Sequence, residues 1–201
     1  MRLRFPLVSL ALLFALSPCS GDGDAAGWAA ADQRRMAADA ASYAPPDFKR
    51  QLAKHSRRLM QGVSDAAAGE TGGRDAAAHR AAAARGARAL AESIRRHTPF
   101  DEIAYQAAGI VHELAMVFPP PAEPAADAPA GARFLGFSAE PFAAPEKLVA
   151  GTLPCGTSRE CYDASVAVTT RLFAWIWKTA GGDVSSVAHY PASKGPYALR
   201  E

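Results

Sequence analysis

Alanine is the feature that most narrows what this chain can become. It runs through residues 29–41, 76–84 and 122–130 and recurs singly almost everywhere else. Alanine carries almost no side-chain entropy into a helix and is the strongest helix former, whereas strands want branched or aromatic residues. It also brings little volume, so the 49% apolar share overstates the core, and helices must approach closely to bury it. The expectation is an all-α protein: a single-domain multi-helix bundle, for which 201 residues suffice once a targeting segment is set aside.

That segment lies at the start. Arg2 and Arg4 precede an almost unbroken apolar run over residues 5–16, the two-part pattern of a secretory signal peptide. The run is shorter than the roughly 20 residues needed to span a bilayer. Cleavage after Ala25-Ala26-Gly27 would assign residues 1–27 to the signal and leave Trp28 first. A second route stays open, because Leu16-Ser17-Pro18-Cys19 resembles a lipoprotein box and lipidation of Cys19 would tie the chain to a membrane. Both routes export the protein to the periplasm or beyond, and both leave Cys155 and Cys161 as an even pair in an oxidising compartment. A local disulfide is expected.

Helical spacing organises residues 28–183. A first helix over residues 28–43 must stop before Pro45-Pro46. A second, over residues 46–67, carries the stripe Phe48, Leu52, His55, Leu59 and Val63. Glycines within residues 69–73 interrupt the pattern, and a third helix over residues 75–96 turns its arginines to solvent. Thr98-Pro99-Phe100-Asp101 starts a fourth with a cap, a proline and an acid in place. Its face of Phe100, Ile103, Ala107, Ile110, Val111, Leu114 and Phe118 is broad enough to place it in the middle of the bundle. Pro119-Pro120-Pro121 ends it and begins a long Pro/Ala-rich loop, residues 119–154, laid over the core. Thr157 and Glu160 have capping-box spacing for a last helix, with Tyr162, Val166, Thr169, Leu172, Phe173 and Ile176 inward and a stop at Gly181-Gly182. Residues 184–201 form an irregular tail.

Several functions are disfavoured. Twenty-two basic against 20 acidic residues give a net charge of +2, too balanced for nucleic-acid binding by bulk charge. No G-x-S-x-G turn offers a serine nucleophile, and residues 69–73 lack the Lys-Ser/Thr ending of a phosphate-binding loop. His55 reads as a satisfied core histidine, while His79 and His97 stand among arginines and read as solvent-facing. Nothing in the sequence names a partner.

The order of these elements resembles the zinc-dependent phospholipase C family and its relatives, the fungal single-strand nucleases. The resemblance is carried by Gly27-Trp28 after a signal, Tyr43-Ala44-Pro45-Pro46-Asp47 before a long helix and Gly62-Val63-Ser64-Asp65 at its end. It continues in Ala108-Gly109-Ile110-Val111-His112-Glu113-Leu114-Ala115 and Arg171-Leu172-Phe173-Ala174-Trp175-Ile176-Trp177. It implies a helical scaffold around a zinc cluster held by His and Asp side chains and by the amino and carbonyl groups of an N-terminal Trp, which hydrolyses phosphate esters. Carried over by position, the ligands here are Trp28, Asp65 and His112. The family's H-x-x-x-D-x-x-x-x-x-H starts at His112, but its Asp falls on Met116 and its second His on Ala122, and no later His-x-x-x-Glu pair exists. Three scattered donors cannot cage several divalent cations, because buried zinc needs deprotonated ligands and carboxylates to offset its charge. The expectation is therefore a degenerate, non-catalytic member with a binding or envelope-structural role, without catalytic residues and without cofactor. The alternatives are a hydrolase using one zinc on His112, Asp65 and a further histidine such as His55 or His79, and a surface lipoprotein anchored through Cys19.

Overall fold

The computed structural model describes residues 27–121, 131–137, 140–151, 153 and 155–189. The expected signal segment, Cys19, Ala122 and the tail after His189 lie outside the described residues. Among those described, the regular structure is helical and no strand forms. The elements are α1 (Ala30–Tyr43), α2 (Pro46–Lys54), α3 (Ser56–Gly69), α4 (Ala76–Arg95), α5 (Phe100–Val117), α6 (Pro145–Ala150) and α7 (Ser158–Thr179), followed by a 3-10 turn over Ser185–His189. No helix among the described residues is long and apolar enough to cross a membrane.

The second helix expected from the stripe is two helices. His55 leaves the helical region at φ −108° and ψ 24°, although its N–H still donates to the Gln51 carbonyl at 3.1 Å. The stripe runs through the bend, with Phe48, Leu52, Leu59 and Val63 all buried. What changes is direction. Phe48 on α2 stacks on Trp177 at 5.1 Å and meets Phe173 edge-on at 5.6 Å, whereas α3 lies along α5. His55 fills the bend, its ring 6.4 Å from that of Phe100.

Close approach of α3 and α5 depends on Gly62. A Cβ there would stand 2.7 Å from the Tyr105 carbonyl oxygen and 2.8 Å from the Ala108 Cβ, nearer than real Cβ atoms come. The alanines serve the same purpose on the other side of α5, where Ala83, Ala84 and Ala87 of α4 are fully buried.

As expected, α5 lies in the middle of the bundle, and α7 shares that place with it. Every residue of α7 from 161 to 174 is buried. Its polar residues concealed this in the sequence, and most find hydrogen-bond partners, the buried Ser165 hydroxyl being an exception among the described residues. Thr169 and Thr170 donate to the carbonyls of Ser165 and Val166 at 2.8 and 2.9 Å. Asp163 accepts the Arg133 N–H and the Arg159 Nε–H at 2.8 and 3.0 Å, and Arg171 donates to the Gly136 carbonyl at 2.9 Å. The start of α7 is as expected, with the Thr157 and Glu160 capping box in place and Cys155 joined to Cys161 over a Cα–Cα distance of 4.3 Å. Closing so short a loop is worth about 2 kcal/mol by chain entropy.

The described parts of the long loop cover the core. Residues 131–137 form a strap across α1 and α7, with Phe134 and Phe137 buried and Phe134 stacked on Tyr43 at 4.7 Å. A single turn-and-a-half helix, α6, was not expected in it. Pro145 at its first position and buried Leu148 and Val149 fix it against α4 and α7.

Candidate functional site

Four segments converge beside the C-terminal half of α5. They are the approach to α1 with Trp28 and Gln33, the α3–α4 turn with Glu70 and Arg74, the first turns of α4 with His79, and His112, Glu113 and Met116 on α5 itself. The turn is what brings the two charged groups round. Gly72 and Gly73 adopt φ of 76° and 87°, which disfavours any residue with a Cβ, and the Gly72 N–H donates to Glu70 Oε1 at 3.0 Å. Asp75 then caps α4 by accepting the Ala78 N–H at 2.7 Å.

These side chains form one unbroken hydrogen-bonded chain. The Trp28 indole donates to the Phe118 carbonyl at 2.7 Å, and the Trp28 carbonyl accepts Gln33 Nε2 at 2.9 Å. That fixes the Gln33 amide, whose oxygen faces His112 Nδ1 at 2.9 Å. His112 Nε2 stands 3.2 Å from Glu70 Oε2. Arg74 bridges Glu70 to Glu113, which it meets at 2.9 and 3.1 Å, and Glu113 ends the chain on His79 Nδ1 at 2.7 Å. His112 and His79 are 3% and 2% exposed, so the chain runs from the buried interior to an Arg74 guanidinium that is 40% exposed.

Charge and hydrogens follow from the partners. Both ring nitrogens of His112 are engaged by side-chain oxygens, those of Gln33 and Glu70. The Arg74 guanidinium, helped by His112 and the Gly72 N–H against the cost of partial burial, holds the Glu70 carboxyl down at about 2. Glu113 turns to His79 and Arg74 rather than to its sequence neighbour His112, as expected of adjacent residues on a helix.

Beside the chain opens a pocket of about 430 Å³, lined by Gly27, Trp28, Gln33, Glu70, His112 and Met116 among others. Met116 occupies the side facing Gly27, its sulfur 3.6 Å from the point a Cβ on Gly27 would reach. Two of the positions carried over by resemblance, Trp28 and His112, therefore meet here through Gln33. Asp65 does not join them. It is exposed on α3, does not line the pocket, and accepts the Tyr105 hydroxyl at 3.1 Å. His55 is likewise elsewhere, against Phe100, and Ala122 lies outside the described residues. His79 is the clearest departure from the sequence reading: it is buried and hydrogen-bonded, not solvent-facing. Gln33, Glu70 and Arg74 do not stand out in the sequence, where Glu113 shows only as the neighbour of His112, and only the paired glycines at 72 and 73 signal a turn able to gather them.

The donor set does not suit zinc. Among the described residues no three His, Cys, Asp or Glu side chains are placed to hold a metal ion. The Trp28 carbonyl is taken by Gln33, both His112 nitrogens are engaged by Gln33 and Glu70, and both carboxylates already clasp a guanidinium.

Comparison with known proteins adds no assignment: no family model, no curated protein and no solved structure matches the chain.

Proposed function

We propose that this chain is an exported, non-catalytic protein built on a phospholipase C-type helical scaffold, with a binding or structural role in the envelope. The observation that carries the reading is Arg74, clasped between Glu70 and Glu113. Two carboxylates with histidine neighbours are the material of a metal centre, and here a guanidinium supplies the positive charge that a metal ion would bring. A metal ion entering here would have to displace a guanidinium already bound by both carboxylates, which are only 12% and 17% exposed. Met116, a soft thioether in the pocket wall, agrees with this, and the Cys155–Cys161 disulfide agrees with an oxidising compartment.

Purified mature protein is the test. Its zinc content, measured by mass spectrometry of the metal, is expected to be far below one per chain, with no turnover of a phosphodiester such as bis(p-nitrophenyl) phosphate. Near-stoichiometric zinc that disappears together with phosphodiesterase activity in His112→Ala would overturn the proposal.

A further inference from the structure

Away from the Arg74 cluster, a second concavity crosses the corner between α1 and α2. One lobe, of about 430 Å³, lies between that corner and the strap and is walled by Tyr43, Phe134 and Phe137. The other, of about 300 Å³, lies between α1, α2 and α3 over Leu52, Leu59 and Met60. Ser42 and Lys49 line both, so the two lobes are one surface with Lys49 at the saddle. The corner is stiff, since Pro45 and Pro46 fix its backbone and the Tyr43 hydroxyl is tied to the Ala132 carbonyl at 3.1 Å.

The charge on this surface has one sign. No Asp or Glu lines either lobe, whereas Lys49 and Arg50 do. Lys49 has no ion-pair partner among the described residues, and Arg50 has only its neighbour Asp47, an exposed pair of little strength. Arg171 lies beneath the strap and lines neither lobe. It is 93% buried by its 7% exposure, donates to the Gly136 carbonyl, and has no carboxylate partner among the described residues.

We propose that this surface binds a single-headed anionic amphiphile of the long-chain carboxylate class. The head pairs with Lys49 at the saddle, beside Arg50, and the alkyl chain lies along the lobe over Leu52, Leu59 and Met60. Two lobes of this volume and lining suit a flexible apolar ligand of modest size, and a cation or a neutral alcohol lacks the group that the lysine selects.

Dodecanoate titrated calorimetrically into the full mature chain, below its micelle concentration, decides the matter. Saturable binding is expected, with affinity reduced about tenfold in Lys49→Glu, about 1.4 kcal/mol, and unchanged in Lys147→Glu on α6. Ala53→Trp, at an exposed position of α2 that lines the aliphatic lobe, is expected to weaken dodecanoate more than hexanoate, and circular dichroism verifies that each variant is folded. No saturable binding, equal binding of dodecylamine or dodecanol, or equal affinity in Lys49→Glu would each overturn the proposal.

Discussion

Two polar clusters inside this bundle are made of opposite materials. Around Arg74, two carboxylates and two imidazoles share one guanidinium beside an open pocket. Around Asp39, a single carboxylate accepts the Tyr162 hydroxyl at 2.9 Å and the Ala132 N–H at 2.8 Å, and the Tyr43 hydroxyl completes the set on the Ala132 carbonyl. The first is ionic and reaches solvent; the second is phenolic and lies under the strap. Their pH responses are opposed as a result. Glu70 is held down at about 2, whereas burial pushes the Tyr43 hydroxyl up to about 12 and the Tyr162 hydroxyl higher still. A carboxylate with a lowered value stabilises the fold above its unfolded value and loses that contribution in acid; a phenol with a raised value does so below its unfolded value and loses it in alkali. The Arg74 cluster should therefore fail first as pH falls from about 4.5 toward 2, and the Asp39 cluster first as pH rises from about 10 toward 12.

The largest effect is expected from Asp39→Ala. It strands the hydroxyl of fully buried Tyr162 and frees the Ala132 N–H, a loss of about 3 kcal/mol. Urea unfolding measures it, and proteolysis within residues 131–137 should quicken in parallel. A loss below about 1 kcal/mol would mean that Phe134 and Phe137, rather than Asp39, hold the strap.

Gly62→Ala comes next and acts on the other cluster from a distance. The added Cβ cannot fit against the Tyr105 carbonyl and the Ala108 Cβ, so α3 must move off α5, at a cost of about 2 kcal/mol. Because Glu70 caps α3 and His112 sits on α5, the shift stretches their hydrogen bond. The variant should lose stability in acid less steeply than the wild type while keeping its alkaline limb. An unchanged acid limb would show that the α3–α4 turn positions Glu70 independently of helix packing.

The same contrast explains what was legible in the sequence. Helix periodicity, caps and prolines report on the local backbone, so α1, α5, the capping box of α7 and the stop at Pro119 could be read directly. The Cys155–Cys161 pair followed from number and compartment. The bend at His55 could not, because Phe48, Leu52, Leu59 and Val63 keep one stripe on either side of it and only the directions of α5 and α7 require a turn. Nor could the Arg74 cluster. Gln33, Glu70, Arg74 and His79 look like ordinary surface residues until residues more than thirty apart are brought together. The resemblance pointed to Trp28 and His112, which do share a pocket, and to Asp65, which faces Tyr105 instead.

Glu70→Gln isolates the ionic cluster most cleanly and has the smallest expected effect. The amide keeps the size of the side chain and can still accept from Arg74 or from His112, so packing and most hydrogen bonding survive. What it removes is the charge that titrates. In the wild type, Glu70 adds stability that is complete above about 4.5 and lost toward 2; with the pocket open to water, screening reduces it to about 1 kcal/mol. Unfolding followed from pH 7 down to about 2 should therefore show a shallower acid limb for Glu70→Gln, the two curves converging at the acid end, with no change between about 10 and 12, where Tyr43 and Tyr162 govern. Parallel acid limbs would show that Glu70 does not carry the acid sensitivity and break the opposition between the clusters at its ionic end.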